Sequence, residues 1–125
     1  PFFNVKYDYR IKTTREIAFE YSRSGYDALN AYVQATTNVK RLTGYCFDNL
    51  GAEPQIKHFG NNCNVMLEIL LSRCEKFTEF KGITHITTML TALEIEEIYG
   101  STLRSKMREN FNLISFLNIS RDKRL

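Results

Sequence analysis

The stretch FNVKYDYRIKTTREIAFEYS, residues 3–22, carries the reading on which the fold turns. Phe3, Val5, Tyr7, Tyr9 and Ile11 alternate with Asn4, Lys6, Asp8, Arg10 and Lys12, the two-residue period of a half-buried strand. After Thr13-Thr14 a second alternation sets Ile17, Phe19 and Tyr21 against Glu16, Ala18, Glu20 and Ser22. Two alternating runs this close predict an antiparallel hairpin with its turn across Lys12 to Arg15.

Beyond the hairpin the period lengthens. Ser24 with Asp27 three residues on has the form of a helix start, and Ala28, Tyr32, Ala35, Val39 and Leu42 continue it as an apolar stripe to about Thr43, with Gly44 as the stop. Residues 45–62, with Gly51, Pro54 and Gly60, read as a long connection. From Asn64 to Phe80, Met66, Leu67, Leu70, Leu71, Cys74 and Phe77 recur at three-and-four spacing and predict the helix at the centre of the core. Thr84 is placed to cap a further helix to Tyr99. Gly100-Ser101 then separates it from a last helix with Leu103, Met107, Phe111, Ile114 and Leu117 on one face. The expected fold is α+β, one domain over residues 1–125, with an N-terminal antiparallel β-hairpin followed by a mostly helical core of about four helices.

Composition bounds the function. The chain has 125 residues, 43% hydrophobic and 25% charged, and no run approaches the ~18 apolar residues of a membrane helix. Three cysteines, Cys46, Cys63 and Cys74, form no close pair, which predicts reduced thiols and a cytoplasmic setting rather than a disulfide framework. His58 and His85 are the only histidines, and no nucleophile-elbow, phosphate-loop or dinucleotide-binding pattern accompanies them. Cys63 and Cys74, if both helical, stand about 16 Å apart along one face, too far to share a zinc ion. No metal, cofactor or catalytic residue is assigned from the sequence.

Charge has more to say. Residues 1–43 carry seven Lys/Arg against four Asp/Glu, residues 83–100 none against three, and residues 101–125 six against two. Basic ends suit a polyanion, and mixed segments suit contact between copies. Lys6, Arg10, Lys12 and Arg15 fall on or beside the first strand, while Arg104 and Arg108 stand one turn apart on the last helix behind Ser101 and Thr102. These six residues predict a non-enzymatic protein that binds RNA or single-stranded DNA through two basic strips. The alternative expectation is a self-associating protein-interaction module, adaptor or inhibitor, because a two-stranded hairpin presents open edges. A small enzyme using Pro1 or a histidine as base is the third reading.

Overall fold

Thr13 joins the first strand directly to the first helix. In the computed structural model, which describes residues 9–33, 35–36, 41–54, 57–58, 61–62, 64–80 and 83–115, β1 (Tyr9–Thr13) ends on the extended backbone of Thr13, and α1 (Thr14–Ser24) starts at the next residue. The Thr13 hydroxyl accepts from the Glu16 amide at 3.0 Å, an N-cap that satisfies one of the helix's orphan donors. Ile17, Ala18 and Tyr21 are buried while Phe19 is exposed, so helical spacing selects the buried side. The antiparallel hairpin predicted across Lys12 to Arg15 is therefore absent. What looked like a turn and a second strand is a capped helix.

The chain continues through α2 (Tyr26–Val33), β2 (Ala35–Thr36), β3 (Arg41–Leu42), β4 (Gly44–Leu50), β5 (Lys57–His58), β6 (Asn61–Asn62), α3 (Val65–Phe80), β7 (Thr84–Thr88), α4 (Ala92–Tyr99), α5 (Ser101–Asn110) and β8 (Asn112–Ser115). Several predicted helical stretches are split or replaced. Gly25, at φ 63°, ends α1 and leaves α2 a short helix instead of one run to Thr43. Gly44 opens a strand in place of stopping a helix. Thr84, Ile86, Thr87 and Thr88 are β-branched and form a strand, so the helix placed there begins only at Ala92. The last helix stops at Asn110, and Asn112–Ser115 is again a strand. Only α3 matches its predicted bounds closely. Leu117 and the whole of the alternating run before Tyr9 lie outside the described residues.

Helices and strands both build the fold, but the sheet is not the one predicted. β1, β4, β7 and β8 form one four-stranded sheet in that order, every neighbouring pair parallel. Among the described residues the antiparallel pairings are the two-residue ladders β2–β3 and β5–β6. Because the strand order follows the sequence order, each crossover steps the same way across the sheet. Right-handed crossovers then put every helix on one face. Burial agrees: Tyr45, Phe47 and Ile86 from the sheet share one core with Ile17 and Tyr21 of α1, Leu29 and Tyr32 of α2, Met66, Ile69 and Leu70 of α3, Ile95 and Tyr99 of α4, and Leu103 and Met107 of α5.

A cation sits inside this core. Arg73 of α3 is fully buried and donates from Nε to Thr84 Oγ1 at 2.8 Å, from Nη1 to the Tyr32 carbonyl at 2.7 Å, and from Nη2 to the carbonyls of Thr43 at 2.9 Å and Ile83 at 3.1 Å. Its guanidinium carbon lies 5.4 Å from the Tyr45 ring centre and 5.7 Å from that of Phe47. Among the described residues no carboxylate is a partner of Arg73, and burial pulls its pKa down to about 10, which leaves it charged at neutral pH. Together with Lys76, whose Nζ reaches the Val33 carbonyl at 2.7 Å, it satisfies the last carbonyls of α2 with positive charge.

Candidate functional site

With the helices on one face, the other face of the sheet carries a cluster of polar and exposed apolar side chains. Register sets its members. Tyr45 and Phe47 point into the core, so the intervening Cys46 and Asp48 point the other way, as do their neighbours Ile11 on β1 and His85 on β7. Tyr9 shares the side of Ile11. Ile83 and Met89, bracketing β7, follow the same alternation. Of the eight large hydrophobic residues exposed among the described ones, four belong here: Tyr9 at 43%, Ile11 at 69%, Ile83 at 52% and Met89 at 56%. Parallel sheets are normally covered on both faces, which makes this concentration informative.

A polar group of three lies at the centre of the face. Gly44, paired with Tyr9, has no side chain to obstruct the phenol, and the Tyr9 hydroxyl crosses β4 to meet His85 Nδ1 at 2.8 Å. The two rings stand edge to face with centres 5.8 Å apart. Cys46, on the strand between them, pairs directly with His85 across the β4–β7 ladder and with Ile11 across the β1–β4 ladder. Burial pushes the Cys46 thiol pKa up and the Asp48 charge adds to it, against a lowering by the Tyr9 hydrogen bond. Burial likewise raises the Tyr9 phenol, with Cys46 adding to the shift. Both stay protonated at neutral pH, so the cluster presents hydrogen-bonding groups and a neutral sulfur, not an activated nucleophile.

The carboxyl end of β4 extends the polar region. Its pairing with β7 slips between Phe47 and Leu50, giving β4 one residue more than β7 over that span, and Asn49 takes a left-handed backbone with φ 68°. The Thr87 hydroxyl donates to Asp48 Oδ1 at 2.5 Å and accepts from the Asn49 amide at 2.8 Å, while Thr14 Oγ1 donates to the Asn49 carbonyl at 2.9 Å. These contacts hold the irregular turn in one shape and keep Asp48 on the face. Nearby, Glu53 accepts from the Gly51 amide at 3.0 Å and from the Tyr99 hydroxyl.

The residues singled out for nucleic-acid binding are placed elsewhere. Lys6 lies outside the described residues. Arg10 and Lys12 alternate with Tyr9 and Ile11, which puts them on the helix side of β1, at one edge of the sheet. Lys12 is taken up by α1, with Nζ 3.4 Å from Glu20 Oε1 and 3.8 Å from Glu16 Oε2. Arg15 is exposed on α1, its guanidinium 5.5 Å from the Phe19 ring centre. Arg104 is half-buried and ion-paired to Glu96 Oε2 at 3.3 Å, and its Nε lacks a hydrogen-bond partner among the described residues. Arg108 is exposed in the last turn of α5. α5 packs by β8, the opposite edge, three strand spacings or about 14 Å from β1. The described members of the two strips thus lie by opposite edges of the sheet.

Tyr9, Cys46 and His85 were legible only as separate residues, because three different stretches of the chain supply them. Among the described residues no three His, Cys, Asp or Glu side chains are grouped to hold a metal ion, and no helix is long and apolar enough to cross a membrane. The side chains of His58 and Cys63 lie outside the described residues. Comparison with protein-family models, with curated proteins and with solved structures yields no match, which leaves the chemistry of this face as the guide to function.

Proposed function

We propose that this chain is a non-catalytic protein-interaction module that self-associates through the helix-free face of its parallel sheet. The observation that carries the reading is the segregation of all five helices to one side while Tyr9, Ile11, Ile83 and Met89 stand exposed on the other. Leaving a face of this kind in water costs about 25 cal/mol for each Å² of apolar surface that a partner would bury. It also holds both donors and acceptors, in Tyr9, His85, Thr87 and Asp48, so a second copy can meet its polar groups as well as its apolar ones. Asp48 is the one fixed charge among the face residues named here, which favours a protein partner over a polyanion.

Light scattering over about a hundredfold concentration range tests this. The chain is expected to move from 14.6 kDa towards twice that mass, and Ile11→Arg, at a site too exposed to matter for folding, is expected to keep it monomeric. A monomer throughout, or a dimer indifferent to Ile11→Arg, refutes the reading. Retardation of a labelled oligonucleotide at low salt, lost on Arg10→Ala or Arg108→Ala, would put nucleic-acid binding in its place.

A further inference from the structure

The sheet face by itself supports only a weak dimer, one that forms at the upper end of the concentration range. Four strands about 4.8 Å apart, each about five residues long at roughly 3.3 Å per residue, offer only about 300 Å² in projection, against ~800 Å² per partner in a standard interface. Something at its centre has to contribute what area does not. The centre is Cys46 beside His85 on paired positions of β4 and β7, two metal-ligating side chains that are both half-buried on the open face.

We propose that the helix-free face binds a zinc ion at Cys46 and His85, and that the ion is completed by the same two residues of a second copy. The proposal rests on the self-association reading above and gives it a chemistry. Zinc takes four ligands in a tetrahedron, with sulfur at about 2.3 Å and imidazole nitrogen at about 2.0 Å. One chain supplies two, so its site is incomplete alone, and a two-fold axis through the ion supplies a Cys2His2 set. The spacing is compatible: sheets packed face to face lie about 10 Å apart, so an ion midway is about 5 Å from each, within reach of a cysteine side chain plus one Zn–S bond.

Tyr9 provides the support that such sites require. Its hydroxyl holds His85 Nδ1 at 2.8 Å, which fixes the ring and leaves Nε2 as the nitrogen for the metal. The phenol therefore orients the imidazole of its own chain, beside Cys46 on the paired position of β4. Its role is positioning, and its removal is expected to weaken the metal without abolishing binding. On binding, each thiol gives up its proton to solvent and its sulfur donates the electron pair to the ion, with no redox change.

The test uses the full chain under reducing conditions, first stripped of metal and then titrated with zinc chloride, with light scattering as one readout and cobalt(II) absorption as the second. The expected result is half a zinc per chain, at least a tenfold tightening of the dimer, reversal by a chelator, and a thiolate-to-cobalt charge-transfer band. Cys46→Ser and His85→Gln are expected to remove the tightening and the band, and Tyr9→Phe to lower the metal affinity about 10- to 100-fold. A dimer that forms equally without zinc and in both ligand variants would overturn the zinc site while leaving the interaction surface standing. One zinc per monomer would overturn the bridging arrangement. A monomer with and without zinc would overturn both.

Discussion

Replacing Arg73 by Met removes the buried cation while keeping much of its length, and the structure sets the size of the effect. Of the four acceptors that Arg73 serves, Ile83 O also accepts from the Tyr45 amide at 2.9 Å and stays satisfied, and the Thr84 hydroxyl can turn to another partner. That leaves the carbonyls of Tyr32 and Thr43 without the guanidinium. A hydrogen bond to a charged group is worth about 1.5–3 kcal/mol, so the loss of two amounts to about 3–6 kcal/mol. Against this, Met no longer has to desolvate a charge that lacks a carboxylate partner, which returns part of the loss. The net expectation is a destabilisation of about 2–4 kcal/mol, a large fraction of what holds a small domain together. In urea, with a slope near 1.5–2 kcal/mol per molar, the midpoint falls by roughly 1–2.5 M at unchanged slope. Arg73→Lys keeps the charge but offers one nitrogen where the structure uses three, and is expected to recover less than half of the loss. A midpoint unchanged or raised in Arg73→Met would show that the cost of burying the charge exceeds the value of its hydrogen bonds, and would refute the account of Arg73 as the tie between α2, α3 and the sheet.

Thr91→Ala removes the hydroxyl half of the capping box that starts α4, where Thr91 Oγ1 accepts from the Glu94 amide at 3.2 Å and Glu94 Oε1 accepts from the Thr91 amide at 2.9 Å; a loss of about 0.5–2 kcal/mol is expected by chemical denaturation, and none would deny the cap. Alkaline pH is expected to weaken the fold. Burial beside Glu20 and Glu53 raises the Tyr32 and Tyr99 phenols above the usual 10.0, so above pH 10 the folded chain holds protons that the unfolded chain releases. Their contribution is complete below pH 10 and falls as pH rises, by up to about 1.4 kcal/mol per unit for each phenol. Arg73, lowered to about 10 from 12.5, acts in the opposite sense and offsets part of the decline, and Tyr99→Phe is expected to make the decline between pH 10 and 11 shallower by up to about 1.4 kcal/mol per unit; a slope unchanged by Tyr99→Phe counts against that phenol.

The candidate face shows where sequence reasoning runs out. The alternation of Tyr9, Arg10, Ile11 and Lys12 identified a strand and its two sides, and that much is present in the structure. The apolar side, which a half-buried strand is expected to turn inward, is here the open one, with Tyr9 and Ile11 exposed. In an edge strand the helix layer receives Lys12, whose long chain lies along α1 and pairs with Glu20, while Ile11 is left on the open face. Arg73 was legible in principle: it stands three residues after Leu70 and seven after Met66, a charge on the apolar stripe of the best-defined helix. Such a position asks for buried acceptors, and the structure supplies them from three other segments.

Local signals alone settled the identity of α3, whose three-and-four spacing fits no strand, and the break at Gly100 between α4 and α5, where a residue free to take φ 96° ends one helix and begins the next. Thr13-x-x-Glu16 has the form of the helix start that α1 uses, but the alternation over the same residues reads as a hairpin instead. Strand direction was beyond local signals. A two-residue period is the same in parallel and antiparallel sheets, and the partner of β1 is β4, reached only after two helices have folded back over the sheet. The meeting of Tyr9, Cys46 and His85 has the same origin. Each is set on its face by its own strand's pleat, but their proximity depends on β1, β4 and β7 lying side by side in one parallel register, and that follows from packing all five helices on a single face of the sheet.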